Sequence, residues 1–378
     1  MARRTRGEST LYKTETGRWR AQIVIQGRRL SHTTKTAREG REWIRHQLEK
    51  PDQGINLERA SAPLNDYLDD WLANVKTSRA SSTHKNYFDY INRYIRPILG
   101  EVKMSDLRPD LIQSAVDGML KNGMPAYSTG YAFKLLKMSL KRAVKLGILG
   151  YNPADGVTPP KTQKKEMQVW DENQVQTYLL TIDTEQPRSG ALLKLAVGTG
   201  MRLGELLGLM WGDVDWERKQ ISIQRQPKLV RDEKNDFGPV KSKSSMRTIR
   251  IADVLVDVLR EHLEKQFVET KVFASDWNDI DLVFPNERGD SMLRCSATKI
   301  HKTMLARAGL PYIRFHDLRH TAVSLMLQNG VPIVEVSKYI GHARVSITLD
   351  TYGHLAPSWH SQAAEKMNEI LTPQSITL

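Results

Sequence analysis

Apolar side chains recur at three- and four-residue intervals through most of residues 61–147, and the stretch that follows, YNPADGVTPPKTQKKEMQ, replaces that pattern with proline, glycine and lysine. Such an alternation forces one helical core to close before another begins. Leu64, Tyr67, Leu68, Trp71, Leu72 and Val75 follow helical spacing behind Ser61, a cap candidate, and an early Pro63. A second helix carries Tyr87, Ile91, Tyr94, Ile95 and Ile98 and stops at Gly100. A third carries Ile112, Val116 and Met119, and a fourth, opened by Ser128, runs through Leu135, Leu136, Leu140 and Val144 to Gly147. Residues 61–156 therefore read as an all-helical domain whose tyrosines and tryptophans are core, with 157–168 as the linker behind it.

The flanking segments differ. Trp19, Ala21, Ile23 and Ile25 alternate as in a strand, Gln26-Gly27 marks a turn, and helical spacing resumes after Thr36 through Trp43, Ile44 and Leu48. Residues 1–57 thus read as a small sheet plus one helix. Arg18, Arg20, Arg28 and Arg29 crowd its strands, behind a basic tail of Arg3, Arg4 and Arg6. Two readings stay open for them: a solvated surface, or a sheet that touches DNA phosphates. Residues 169–378 mix helices (DENQVQTYLLTI, ALLKLAVGTGMRLGELLGL, DVLVDVLREHLEKQ and onward) with strands QISIQRQ and SMRTIRIA. The fold class expected is multi-domain, mainly α with small β-sheets.

Charge narrows the partner. Among 378 residues, 56 Lys+Arg against 43 Asp+Glu leave a formal charge of +13, which favours a polyanion, nucleic acid first. No apolar run approaches the roughly 20 residues needed to span a bilayer, and MARRTRGEST lacks the apolar core of a signal peptide. A cytoplasmic protein without membrane contact is expected. One cysteine, Cys295, excludes an internal disulfide and a cysteine-built zinc site.

Four short motifs carry possible chemistry. Arg202 sits between Gly200 and Gly204, with Glu205 three residues on and able to orient it from behind. Lys241 and Lys243 lie in a loop between strand candidates, a place suited to delivering a proton. In RFHDLRHT, His316 and Arg319 share one helical face near an N-terminus, where anions are favoured. His342 and Tyr352 follow in IGHARVSITLDTYGH.

In this order and spacing the set resembles the tyrosine recombinase (phage integrase) family, which uses an Arg, a Lys in a β-hairpin, an H-x-x-R pair, a His or Trp after Gly, and a Tyr about ten residues further. The matching positions are Arg202, Lys241, His316, Arg319, His342 and Tyr352. Lys241 is preferred to Lys243 because it stands six residues before Arg247 in a stretch similar to the family's P-K-T-x-x-S-x-R-x-I-P-L, although PVKSKSSMRTIRI inserts Val240 and puts Arg250 where the family has proline. The resemblance extends to a helical core-binding domain and an N-terminal arm-binding domain.

The resemblance implies an α+β catalytic domain and transesterification. Tyr352 attacks the phosphodiester to leave a 3′-phosphotyrosyl bond, while Arg202 and Arg319 clamp the phosphate as planar forks. Lys241 protonates the 5′ oxygen, His316 assists proton transfer at the tyrosine, and His342 donates to the phosphate. Surrounding positive charge would ease ionisation of the phenol. His320 is expected in a structural or supporting place beside Glu205. Neither metal nor cofactor is implied. The partners implied are double-stranded DNA with core-type and arm-type sites, a homotetramer resolving a Holliday junction, and DNA-bending and excision proteins. The extra N-terminal domain favours an integrase of a mobile element over a chromosome-dimer resolvase. Other readings are a metal-dependent nuclease using His316, His320, His342 and His354, which lacks H-E-x-x-H, and a non-catalytic DNA-binding module. A short amphipathic stretch through Ala364, Met367, Ile370 and Leu371 can dock on a neighbouring subunit or fold back on its own domain.

Overall fold

The computed structural model describes residues 9–14, 16–25, 28–49, 56–162, 167–228, 235–240, 245–272, 277–353, 364–365, 367–368 and 370–372. The chain divides into two compact units, Met1–Gln163 and Lys164–Leu378.

The first unit opens with an antiparallel sheet, β1 (Ser9–Lys13), β2 (Trp19–Ile25) and β3 (Arg28–Thr34), in that order. The β2–β3 register runs from Trp19↔Thr34 to Ile25↔Arg28. Gln26 and Gly27, expected as the turn, lie outside the described residues. Ala21 and Ile23 are fully buried, as strand alternation requires. The face they point to is covered by α1 (Ala37–Glu49), whose first turn is closed by Thr36 Oγ1 accepting the Glu39 N–H at 3.2 Å. Arg18 and Arg20 are exposed, whereas the side chains of Arg28 and Arg29 lie outside the described residues.

The helical part begins earlier than its periodicity suggests. Asn56 bonds the Gly147 carbonyl at 2.8 Å and caps a short helix, α2 (Leu57–Ser61). Ser61 closes that helix by donating to the Glu58 carbonyl, so it does not cap α3 (Leu64–Ser78), which starts behind Pro63. α4 (Ser81–Tyr90) passes through a π-helical turn, Ile91–Ile95, into α5 (Arg96–Leu99). Pro97 explains the widening: it has no N–H for the carbonyl a turn earlier, and its ring crowds that carbonyl. α6 (Pro109–Lys121) and α7 (Ala126–Lys145) complete the set. α7 starts behind Pro125, which leaves Ser128 inside its first turn instead of at the cap. Leu68, Ile91, Ile112, Leu135 and Leu140 form the core, and Tyr67 and Trp71 are buried with them.

The second unit starts with α8 (Glu172–Glu185), held by an Asp171–Gln174 capping box, and α9 (Gly190–Thr199). Next come α10 (Leu203–Leu207) and short antiparallel strands: β4 (Val214–Asp215), β5 (Gln220–Ile223), β6 (Arg225–Pro227), β7 (Phe237–Pro239) and β8 (Arg247–Arg250). They pair as β4-β5-β8 and β6-β7. Strand β7 was not visible as an apolar pattern because Phe237-Gly238-Pro239 offers no alternation. α11 (Asp253–Val272), α12 (Arg294–Arg307), α13 (Asp317–Gln328), α14 (Ile333–Ile340) and α15 (Val345–Tyr352) follow. One large core joins the early helices to the sheet through Tyr178, Leu195, Ile221 and Leu318. A smaller core of Val323, Leu327, Val336, Ile340 and Tyr352 binds α13, α14 and α15 together. Ala364, Met367, Ile370 and Leu371 lie in helical backbone and are exposed. No helix among the described residues is long and apolar enough to cross a membrane.

Candidate active site

The apolar run ALLKLAVGTGMRLGELLGL does not make one helix. Gly200 takes φ +61° and ends α9, so the chain turns and Arg202 arrives at the N-cap of α10. Its backbone N–H donates to Glu205 Oε2 at 3.0 Å and its Nη1 to Glu205 Oε1 at 2.7 Å. Glu205 is 3% exposed, and its Oε2 also accepts from Arg247 Nη2 at 3.1 Å. Burial alone would raise this carboxyl; Arg247 and then Arg202 overcome it and hold the group below its ordinary value. Arg247, half-buried with its side chain largely covered, also donates to the Tyr339 carbonyl at 2.7 Å. One carboxylate thereby fixes two guanidiniums from different elements.

Arg319, three residues into α13 from His316, is 3% exposed. It donates from Nη1 to the Gly200 carbonyl at 2.8 Å and from Nη2 to the Ile340 carbonyl at 2.6 Å. Arg202 Nη2 reaches the adjacent Gly341 carbonyl at 3.4 Å. Both arginines therefore rest against the C-terminal ends of helices, where partial negative charge favours cations. Burial, then Arg202, lowers Arg319 to about 9, and it remains cationic at neutral pH.

Gly341 takes φ +70° and ends α14, which delivers His342 to the same place. His342 Nδ1 is 2.8 Å from Thr348 Oγ1 on α15. Desolvation and then Arg319 and Arg202 depress His342 to about 4. His316 is the N-cap residue of α13 and faces the same cations. It too is depressed to about 4, by desolvation against the pocket and then by His320 and Arg319, although the residue as a whole is exposed. Behind this polar turn, Ala322, Val323 and Leu327 are buried, so one helix serves both the pocket and the core.

Tyr352 departs from expectation. It is 1% exposed, and burial raises its hydroxyl to about 12 against the lowering effect of Arg319. Positive charge alone does not ionise it, because removal from water outweighs it. The imidazole at its hydroxyl is that of His320, through Nδ1, and not that of His316. His316 meets His320 edge-on at 5.1 Å between ring centroids.

Five of the six expected site residues, Arg202, His316, Arg319, His342 and Tyr352, thus gather where α9, α13, α14 and α15 meet. Lys241 and its rival Lys243 lie outside the described residues, between β7 and β8. Glu205 and His320 lie beside the set. Arg247 and Thr348 were missed as supporting residues; the only trace of Arg247 was its place in the strand after the lysines. Among the described residues no three His, Cys, Asp or Glu side chains group as metal ligands, and His354 lies outside them.

Guanidiniums seated on helix ends beside imidazoles and a helix-borne phenol suit covalent phosphoryl transfer, and on this fold they define a tyrosine site-specific recombinase. The chain belongs to the Phage integrase family, which it matches over residues 168–358, while residues 64–120 match the Phage integrase N-terminal SAM-like domain. It is 31% identical over 355 residues to a "Tyrosine recombinase XerC-like" of Caldanaerobacter subterraneus subsp. tengcongensis, covering 89% of this chain and 90% of the relative. Its fold is similar to that of the Tn1549 transposon integrase in complex with a circular intermediate DNA, with TM-score 0.68, 16% identity, and coverage of 82% of this chain and 100% of that one. It is also similar to a lambda integrase tetramer bound to a Holliday junction, with TM-score 0.59, 17% identity, and coverage of 89% and 96%.

Proposed function

We propose that this recombinase is the integrase of a phage or other mobile element, cutting and rejoining double-stranded DNA through a 3′-phosphotyrosyl intermediate and a Holliday junction. The observation that carries the chemistry is the seating of Arg202 and Arg319 on one set of helix-end carbonyls, with His342 beside them and Tyr352 on the next helix. Two planar forks can take the two non-bridging oxygens of a phosphodiester, a geometry that lysine does not reproduce. As the phosphorane forms, its growing charge meets donors already oriented, which is where such sites gain most of their rate.

In this reading Tyr352 is the nucleophile and Lys241 protonates the 5′ oxygen. His342 donates to a non-bridging oxygen, and His316 lines the mouth of the pocket. The bond energy stays in the phosphotyrosyl ester, so neither a nucleotide nor a metal is needed for religation. The sheet β1–β3, with Arg18 and Arg20 exposed, supports a second class of DNA site, and that sheet is why the element integrase is preferred to a chromosome-dimer resolvase. Assembly as a homotetramer on two core-type duplexes, with DNA-bending and excision proteins as accessories, in the cytoplasm on the nucleoid, completes the proposal.

The test is covalent capture. Nicked duplexes of random sequence are incubated with the full chain, and protein-linked DNA is recovered and sequenced. Adducts ending in 3′-phosphotyrosine that vanish in Tyr352→Phe are expected. Capture that persists in Tyr352→Phe, or no capture by the wild-type chain under any condition, overturns the reading.

A further inference from the structure

We propose that His320 is the base that takes the proton of Tyr352, an assignment that rests on the recombinase reading above. The side chain whose proton must leave is the most enclosed of the set. Tyr352 is 1% exposed and walled by Val323, Leu327, Val336 and Ile340. A phenolic proton in such surroundings needs an acceptor already in place, because water does not reach it. Among the described residues, the titratable group within hydrogen-bond reach of its hydroxyl is His320, through Nδ1.

Packing fixes the pair. His320 stands on α13 and Tyr352 ends α15, with ring centroids 5.7 Å apart. Both helices share one apolar core, so the pair is held by packing and not by a loop. For Nδ1 to accept, the neutral ring must carry its proton on Nε2. The charged and titratable groups facing that ring are Asp317, Arg314, Arg319, His316, His342 and Tyr352. Desolvation comes first among the effects on it; Asp317 opposes, and Arg314 and Arg319 add to the lowering. These effects favour the neutral ring, which accepts at Nδ1 when its proton is on Nε2. His320 is itself only half-buried and meets the exposed His316 edge-on, so a proton taken from the buried phenol has a way out.

The step balances as follows. The Tyr352 O–H proton moves to His320 Nδ1 while the phenolic oxygen bonds to phosphorus and the bond from phosphorus to the 5′ oxygen breaks. That oxygen takes a proton from the general acid, Lys241 in the reading above, leaving a 3′-phosphotyrosine and a free 5′ hydroxyl. Religation runs the same transfers backwards, with His320 returning the proton to Tyr352.

The experiment uses the full chain and duplexes first captured by the wild type. Single-turnover adduct formation is followed for His320→Ala, His320→Asn and Lys241→Ala, with DNA affinity measured alongside. Asn places a hydrogen-bond acceptor where Nδ1 lies but cannot hold a proton. Both His320 variants should slow adduct formation by about 10²–10⁴-fold, the usual range for general base catalysis, at unchanged DNA affinity. Their rates should keep rising with pH where the wild type levels off. Replacing the bridging 5′ oxygen with sulfur should rescue Lys241→Ala and leave both His320 variants slow, since sulfur leaves without protonation. Wild-type speed in His320→Asn would reduce the histidine to positioning and overturn the proposal, as would sulfur rescue of either His320 variant or a loss explained by DNA affinity. If the wild type captures nothing, the recombinase reading falls first and this assignment with it.

Discussion

At the scale of the residue, Glu205 decides whether the pocket exists. It is a carboxylate out of water, and its cost is offset only because Arg202 and Arg247 both bond it. Glu205→Ala leaves two guanidiniums without their anion and should lower unfolding stability by about 3–5 kcal/mol in urea titration. Glu205→Gln keeps the shape but not the charge, so it should cost less stability while slowing covalent capture at least about tenfold, through loss of the bidentate arginine geometry. Protonation gives a second prediction. His301 is buried with Nδ1 on the Tyr178 hydroxyl at 2.7 Å, and its pKa is lowered first by desolvation, as is that of His342. A histidine kept neutral by the fold takes up its proton more readily once unfolded. Stability without DNA is therefore full above about pH 6.5 and should fall as pH drops from there toward about 4, the His342 value. A phosphate anion reverses the local sign at His342 by offsetting Arg202 and Arg319. DNA binding near pH 5.5 should then take up protons, seen as a buffer-dependent binding enthalpy; proton release would show that the phosphate does not offset Arg202 and Arg319 at His342. Which residues would gather was legible in sequence for Arg202, His316, Arg319, His342 and Tyr352, because side-chain chemistry restricts them, a guanidinium pair and a phenol having few substitutes. The partners of those groups were not, because the His320–Tyr352 bond spans two helices and Arg247 reaches Glu205 across 42 positions.

At the scale of the element, two left-handed glycines aim the site. Gly200 and Gly341 end α9 and α14, and the carbonyls around them receive Arg319 and Arg202. A Cβ added to Gly200 would lie 3.3 Å from Ala322 Cβ on α13, and its φ of +61° disfavours any side chain. Gly200→Ala should cost about 1 kcal/mol from backbone conformation alone, with a small further loss from that close approach. Its effect on capture should exceed its effect on stability, since the carbonyl that holds Arg319 moves with the turn; equal losses in both would argue that the turn merely folds the chain. The helices themselves were readable wherever one face was apolar, as in α3 and α6. Their starts were less so. Ser61 and Ser128 had the chemistry of caps, but Pro63 and Pro125, with their fixed φ, set where α3 and α7 begin. The π-helical turn at Ile91–Ile95 was likewise hidden, because apolar spacing does not reveal how a proline two residues further on is absorbed.

At the scale of the whole molecule, charge and modular packing set the last prediction. The sheet β1–β3 and α1 bury Ala21 and Ile23 among themselves, while the helical part has its own core. The division belongs just before Asn56, because that residue caps α2 and bonds the Gly147 carbonyl. A chain lacking residues 1–55 should keep its fold and its Tyr352-dependent capture of core duplexes. It should lose binding to any second class of site and, with the arginines of the sheet gone, show a shallower dependence of log affinity on log salt. Electrophoretic titration of both chains on the same captured duplexes across salt concentrations measures this directly. If the shortened chain loses core capture and second-site binding in equal measure, the sheet belongs to the core-site interface, and the argument for an element integrase over a chromosome-dimer resolvase loses its support.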